Sequence, residues 1–437
     1  EMFRKAWIQL GLLLIPAGLI FDIKALLVIS AFLLTVVPIA WWWNRRSLWG
    51  VTYERVLGER RAFPGERVDL TLRVSNQKLL PLGWLGVEDR WPMALLPEDA
   101  DLFPSVVGHM GTFRTAFSIG WYERISRHYQ LRCTRRGFYP LGPVQLKSGD
   151  IWGLFSEGRT QEALDWLIVY PQVLPLAELG FPPKQPFGEI KATWRIFEDP
   201  SRAVGIRDHQ PEDSFRHIHW KASARRQDLQ VKVYEPTTSH NLVLFVNVAT
   251  FAHHWQGTRP LLLEQVIAMA ASIASHAVEA RQMVGLLANG SIPHSDQPIK
   301  VLPSRRPDQL ARLLEALAAV TSFTTSSIES LLLAESARLP WASTLVVVTG
   351  VVTEDLLAAL MRLHQVGRRV VLVSLEEARE GAGREAGTAP QPYPLPPEIR
   401  VYHLPASELP FDQSLMGEEE EWAPEVPPPL HFARGSA

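Results

Sequence analysis

The stretch from Val204 to Glu235, VGIRDHQPEDSFRHIHWKASARRQDLQVKVYE, is the part of this chain whose residue types and spacing are richest in chemistry. Arg207, Asp208, Glu212, Asp213, Arg216, Lys221, Arg225, Arg226, Asp228 and Lys232 crowd around Trp220 and the histidines His209, His217 and His219. Arginine forks pair carboxylates bidentately, so Arg207, Asp208, Asp213, Arg216 and Arg225, with His219, Lys221 and Ser223 interspersed, read in two compatible ways. They form a recognition surface for a protein partner, or a structural ion-pair network that pins the loop onto a sheet. Trp220 reads as the buried anchor of that loop.

Metal binding and catalysis fit the same residues less well. His217 and His219, two apart in an extended segment, would face one side and offer two ligands. No Glu-x-x-His helix or cysteine completes such a site, so no metal is expected. Asp208 and Asp213 are flanked by arginines that hold them ionised, which suits ion pairing better than general-acid work. Ser223 lies in no G-x-S-x-G elbow and no local motif supplies it with a base. Arg225-Arg226 and Arg305-Arg306 are short and lie close to acids, which disfavours nucleic-acid binding. His253-His254 reads as a surface pair.

The elements that must carry this segment are legible from periodicity. With 437 residues the chain is long enough for two or three domains; its 46% hydrophobic and 21% charged residues fit a globular protein with some membrane sequence. The net charge of −2 gives no global pull toward polyanions, and the single Cys133 excludes an intramolecular disulfide. Residues 1–46 read as a transmembrane helical hairpin: an apolar run from Ala6 to Phe21, the link Asp22-Ile23-Lys24, and a second run from Ala25 to Trp43. At about 1.5 Å per residue the second run reaches roughly 28 Å, enough to cross a bilayer core. Trp41, Trp42 and Trp43 form an interfacial belt, and Arg4, Lys5, Arg45 and Arg46 flank the pair, which predicts both termini and the soluble domains on the cytoplasmic side.

Residues 47–175 read as an antiparallel β-sandwich-like domain. Val68, Leu70, Leu72 and Val74 alternate with polar residues after a Pro64-Gly65 turn, and Trp84, Trp91, Trp121 and Trp152 read as packing residues. Residues 176–240 hold the charged segment and lead into the next sheet. Residues 241–375 read as an α/β domain with a mostly parallel sheet: strands at 242–246, 284–287, 344–348 and 370–373 alternate with helices at 259–281, 307–320, 327–338 and 354–365. Ligands in such folds sit at the carboxyl ends of strands. Here those ends carry Asn247 and Thr349-Gly350, with no glycine-rich phosphate loop, so no nucleotide cofactor is expected. Residues 376–437 read as a largely disordered tail with one further strand at 399–402. The fold class is thus multidomain α+β.

Several motifs together resemble the domain of unknown function 58 family. They are Gly205-Ile-Arg207-Asp208, Pro211-x-Asp213-x-x-Arg216-x-Ile218-x-Trp220-x-x-Ser223-Ala224-Arg225 and Leu229-x-Val231, preceded by Arg136-Gly137-x-Tyr139-x-Leu141-Gly142-Pro143, Asp150-x-x-Gly153-Leu154-Phe155 and Tyr170-Pro171. The resemblance implies a protein of the bacterial inner membrane whose α/β domain is von Willebrand factor type A-like (a Rossmann-type fold). It also implies partnership with a MoxR-type AAA+ ATPase and with a transglutaminase-like membrane protein, and no enzymatic activity. Two departures stand out. Pro211-Glu212-Asp213 stands where relatives have a PGD turn, losing a glycine. Asn247, Ala249 and Phe251 stand at the positions of a DxSxS metal site, and Thr349 stands where an aspartate would complete it, so the oxygen donors for a hard cation are missing and the site is degenerate.

The expectation is therefore a membrane-tethered, non-catalytic scaffold or adaptor. The rivals are an enzyme acting on envelope components through the Arg207–Arg225 segment and a ligand sensor using the strand-end crevice near Asn247.

Overall fold

A computed structural model of the chain describes residues 2–97, 102–104, 110–179, 181, 198–210, 218–236, 241–252, 256–292, 297–341, 343–375 and 393–411. The chain divides into two compact units, the first spanning Glu1–Tyr170 and the second Pro171–Gln413.

The first unit opens with the helical hairpin α1 (Met2–Ile20) and α2 (Lys24–Ser47). Asp22, in the left-handed region at φ 51°, turns the chain between them. Glycine at position 18 lets the helices close: a Cβ there would lie 2.9 Å from Leu27 Cδ2. The Ser30 hydroxyl ties the pair together by donating to the Gly11 carbonyl at 2.6 Å. By length and composition α2 is apolar enough to cross a bilayer, whereas the apolar part of α1, Gln9–Ile20, is shorter. Arg45 and Arg46 stack over Trp41 and Trp42 at 5.7 and 5.1 Å.

Twelve strands follow among the described residues: β1 (Val51–Leu57), β2 (Arg61–Ala62), β3 (Arg67–Asn76), β4 (Leu82–Pro92), β5 (Leu95–Pro97), β6 (Leu102–Pro104), β7 (Met110–Ile119), β8 (Arg124–Cys133), β9 (Gly137–Leu141), β10 (Val144–Gly149), β11 (Ser156–Gln161) and β12 (Asp165–Val169). They build sheets ordered β1-β3-β8-β5, β11-β10-β4-β7-β6 and β2-β12-β9. Pairing is antiparallel except between β2 and β12. The alternation read in β3 is realised: Val68, Leu70, Leu72 and Val74 are all buried in a core shared with Leu85, Val87, Trp91 and Phe113. Of the four tryptophans expected to pack, Trp91 does so, stacked on Phe113 at 4.2 Å. Trp84, Trp121 and Trp152 are exposed, because Trp121 and Trp152 occupy turns and Trp84 lies on the open side of β4.

Two of the motifs in this unit have local structural reasons. The buried Asp150 carboxylate accepts from the backbone N–H groups of Trp152, Leu154 and Phe155 at 2.9, 3.3 and 2.6 Å, so the Asp-x-x-Gly-Leu-Phe pattern encodes one self-bonded turn. Gly142 has φ 115°, and a Cβ there would meet the Ala163 carbonyl at 2.5 Å. Next to it lies a buried polar cluster. Arg55 grips Asp89 through Nε–Oδ2 at 2.7 Å and NH2–Oδ1 at 2.8 Å, and Tyr53 donates to the same carboxylate at 2.8 Å.

The second unit begins with a hairpin, β13 (Glu198–Asp208) and β14 (Gln230–Pro236), with the short helix α3 (Trp220–Arg226) in its connection. The α/β part comprises β15 (Asn241–Val246), α4 (Pro260–Glu279), β16 (Met283–Ser291), β17 (Pro298–Ser304), α5 (Gln309–Ala319), α6 (Ile328–Ser336), β18 (Thr344–Thr349), α7 (Glu354–Gln365), β19 (Arg369–Ser374) and β20 (Arg400–His403). The sheet order is β17-β16-β15-β18-β19-β20, parallel throughout except for the antiparallel edge strand β17. Every residue of β15 is buried, as a central parallel strand requires. Helices α6 and α7 share one core with Val243, Phe245, Leu345, Val347 and Leu372. Helix α4 is long and apolar enough to span a bilayer but is mostly buried, a core helix of this unit. Strand β20 realises the last expected strand, while 377–391 and 417–437, read as disordered, lie outside the described residues.

Candidate functional site

The charged segment is organised by a residue that carries no charge. Gln230, the first residue of β14, is fully buried. Its Nε2 donates to Asp208 Oδ1 at 2.6 Å, and its Oε1 accepts from Arg226 NH1 at 3.4 Å. Its backbone carbonyl accepts from His219 N at 2.7 Å, and its N–H donates to Ser223 Oγ at 2.9 Å. One residue thus holds the end of β13, the start of α3 and the middle of α3 together. Ile218, bridged to Val231, supplies the buried apolar contact beside it.

The side chains with catalytic potential are occupied by this scaffold. Ser223 Oγ donates to the His219 carbonyl at 3.1 Å while accepting from Gln230 N, so its lone pairs and proton serve the backbone. His219 Nδ1 accepts from Ala222 N at 3.2 Å and caps α3. Asp208 meets an amide, and no ion pair forms between it and an arginine among the described residues. Arg207 NH1 donates to the Asp208 carbonyl at 3.1 Å. Asp213 and Arg216, with Glu212 and His217, lie outside the described residues, as do His253 and His254.

Trp220 departs from its expected role. It is 68% exposed at the first turn of α3, and the anchoring falls to Ile218 and Gln230 instead. This helix of about two turns has no buried residue, so a large ring at its start has no core to enter. Lys221, Arg225 and Arg226 are exposed as well, together with Ile206 and Leu229. The segment therefore presents a surface of one tryptophan, exposed aliphatics and cations, over an interior held by the hydrogen bonds of Gln230 and Ser223.

The strand-end crevice is closed by amides and hydroxyls. Asn247 Nδ2 donates to Thr349 Oγ1 at 3.0 Å, and Asn247 Oδ1 accepts from Asn289 Nδ2 at 3.0 Å and from Ala249 N at 3.1 Å. Asn289 Oδ1 accepts from Val248 N at 2.9 Å, and Thr349 Oγ1 donates to the Val351 carbonyl at 2.6 Å. Asn247, Asn289 and Thr349 are 6%, 1% and 0% exposed. Each side-chain oxygen here already faces a donor or gives up its proton to a carbonyl. The set does not fit a divalent cation, which needs free anionic oxygens. Phe251 lies under the Arg259 guanidinium at 4.6 Å. Asn289 carries no signal in the sequence, since an asparagine at a strand end announces no chemistry. Among the described residues no three His, Cys, Asp or Glu side chains gather as a metal site would require.

The uncharacterized protein YeaD of Bacillus subtilis (strain 168) is 26% identical over 194 residues, covering 44% of this chain and 46% of its own length. The chain thus spans less than half of that relative. Among solved structures, a cohesin module of a family 33 glycoside hydrolase from Clostridium perfringens covers 28% of this chain and 95% of its own at 9% identity and a TM-score of 0.20. The sporulation control protein Spo0M from Bacillus subtilis covers 28% and 49% at 16% identity and a TM-score of 0.17. The profile of the family described as "Protein of unknown function DUF58" matches residues 205–388, the stretch that starts in β13 and contains α3, Gln230 and β15 to β19. Over that stretch, which is less than half of the chain, the protein is similar to the DUF58 family.

Proposed function

We propose that this protein is a membrane-anchored, non-catalytic scaffold or adaptor that recognises a protein partner through the surface of α3 and its flanking strands. One observation supports this reading most directly. Within the family-matching segment, Asp208, His219 and Ser223 are engaged in holding the fold, whereas Trp220, Lys221 and Arg225 are exposed. Tryptophan and arginine on an exposed patch are the residue types that dominate interface energetics. In this reading α2, paired with α1, anchors the chain in the bacterial inner membrane, with both soluble units on the cytoplasmic face that its terminal Arg45 and Arg46 favour. The α/β unit is von Willebrand factor type A-like with its metal positions replaced. The partner that the family resemblance supplies is a MoxR-type AAA+ ATPase working in envelope assembly or maturation, with a transglutaminase-like membrane protein as a second candidate.

The test is binding of the detergent-solubilised full chain to the MoxR-type ATPase of its own genome, measured by biolayer interferometry with and without ATP. Trp220→Ala is expected to weaken binding by about thirtyfold, the 2 kcal/mol of an interface hot spot. The Arg225→Ala variant should weaken it less. Equal affinity of both variants and the wild type, all folded by circular dichroism, would remove this surface from the interaction. No binding by the wild type in any nucleotide state would remove the partner.

A further inference from the structure

Three loops of the first unit meet where α2 ends. Ser47, the last residue of α2, gives its carbonyl to Lys78 Nζ at 2.6 Å, and the Gly50 carbonyl accepts from Gln77 N at 2.8 Å. The β3–β4 loop is in turn tied to the β7–β8 turn. Tyr122 N donates to the Lys78 carbonyl at 3.2 Å and Asn76 N to the Glu123 carbonyl at 2.9 Å, while Asn76 Nδ2 bonds the carbonyls of Leu80 and Gly120 at 2.9 and 2.8 Å. The backbones of these loops are therefore in direct contact, and the large apolar side chains they carry share one rim.

Those side chains do not enter the core of their own unit. Trp49 and Leu79 are each 72% exposed, Tyr122 69% and Trp121 67%. Connecting loops are usually built from small and polar residues, so four such side chains on three joined loops call for an occupant. Continuity decides which. Trp49 lies two residues beyond α2, whose final turns carry Trp41, Trp42, Trp43, Arg45 and Arg46. The rim follows the aromatic and basic end of α2 after the two buried residues Ser47 and Leu48, and Arg124, exposed at the start of β8, adds a cation two residues beyond Tyr122. Aromatic rings with neighbouring cations are the composition of a membrane–water interface.

We infer that Trp49, Leu79, Trp121 and Tyr122 form a second membrane contact, resting in the headgroup layer of the bilayer that α2 crosses and seating the β-sheet unit on the membrane surface. This inference rests on the anchoring role of α2 given above. Position 59, at the opposite end of β1 from Trp49, lies away from the rim and serves as its reference.

The experiment uses the full chain reconstituted in vesicles of phosphatidylethanolamine and phosphatidylglycerol. An environment-sensitive fluorophore is attached to a single introduced cysteine in the Phe32→Cys, Leu79→Cys, Trp121→Cys and Glu59→Cys variants; Cys133 is fully buried and stays unlabelled. Lipids spin-labelled at the headgroup or at mid-chain quench by contact. The expected result is mid-chain quenching in Phe32→Cys, headgroup quenching of comparable size in Leu79→Cys and Trp121→Cys, and none in Glu59→Cys. If Phe32→Cys is quenched while Leu79→Cys and Trp121→Cys match Glu59→Cys, the rim contact is wrong and the anchor stands. A blue-shifted but unquenched Trp121→Cys means that protein, a second copy or a partner, covers the rim, which also overturns the inference. Without quenching in Phe32→Cys the anchor itself falls, and the rim contact with it.

Discussion

Replacing Asp89 by asparagine asks whether the first unit depends on a single buried ion pair. The Arg55 and Asp89 side chains are 1% and 0% exposed and 2.7 Å apart. Burial opposes the charge on Arg55, but the hydrogen bonds and field of Asp89 outweigh it, and the guanidinium is held above its ordinary value. The Tyr53 hydroxyl is pushed up in the same pocket, by burial first and by Asp89 next. In the Asp89→Asn variant the shape persists, the negative charge is lost, and an NH₂ group confronts the donors of Arg55. Arg55 then keeps one neutral amide oxygen at position 89, Asp165 at 3.1 Å and the Ala163 carbonyl at 3.0 Å, and Asp165, the remaining carboxylate it bonds, is 26% exposed. Removing one partner of a buried pair costs about 3–5 kcal/mol, and the surviving Asp165 contact places the cost near the low end, about 3 kcal/mol. A urea slope of about 1–3 kcal/mol per M converts this into a midpoint lowered by about 1–3 M. The assay is urea unfolding of the solubilised chain followed by near-UV circular dichroism, where Trp91 stacked on Phe113 reports the core of this unit. The Arg55→Met, Asp89→Leu double variant should recover most of the loss, because it leaves no fully buried charge unpaired and Asp165, 26% exposed, turns to water. A single-variant midpoint within about 0.3 M of wild type would refute the reasoning, since it would mean that Arg55 reaches water when Asp89 is gone.

Three further outcomes follow from groups elsewhere in the two units. Burial lowers the Lys78 ammonium to about 8 from 10.5, so between those pH values the unfolded chain binds more protons and stability rises with pH. The gain, at most about 3 kcal/mol and reduced by the Ser47 carbonyl that favours the charged form, should be present in wild-type unfolding midpoints between pH 8 and 10 and absent in Lys78→Met. Arg368 donates to the carbonyls of Ser336, Leu339 and Pro340 at 2.6, 3.1 and 2.8 Å, satisfying the end of α6, and lies over Trp341 at 4.6 Å. Arg368→Ala should cost about 2–4 kcal/mol by thermal or urea unfolding, and a loss under about 1 kcal/mol would show that water replaces the guanidinium. Burial pushes the Cys133 thiol up to about 12, so a thiol reagent should leave the native protein unmodified at pH 8 and label one site in guanidinium; native labelling would contradict its burial.

What was legible in the sequence was what repeats at short range. The alternation in β3 and the uninterrupted apolar run of β15 identify an open antiparallel strand and a central parallel one, because side-chain period follows directly from strand geometry. The same rule missed β17, Pro298–Ser304, where prolines bound a short run and only Ile299 and Val301 are buried. Long-range polar pairing left no trace. Arg55 and Asp89 are 34 residues apart, and nothing in either neighbourhood announces the other. In the charged segment the eye goes to arginine and aspartate, yet the organiser is Gln230, because a buried amide can donate and accept at once where a charge must be neutralised. Trp220 misled for a related reason: residue type suggested burial, but the helix it begins is too short to have an inward face.

In the second unit the Gln230 network and the network of Asn247, Asn289 and Thr349 offer different access to a ligand or partner. Parallel sheets ordinarily bind ligands beyond the carboxyl ends of their strands, since crossover connections leave a crevice there. In this chain Asn247, Asn289 and Thr349 fill those ends with mutually satisfied hydrogen bonds, so a ligand entering would first have to break buried bonds that water no longer competes for. The β13–α3–β14 hairpin has the opposite arrangement: the Gln230 hydrogen bonds lie inside, and its tryptophan and cations lie outside. A partner can meet that surface without disturbing the scaffold beneath it, which is the property a docking site needs and a catalytic pocket does not.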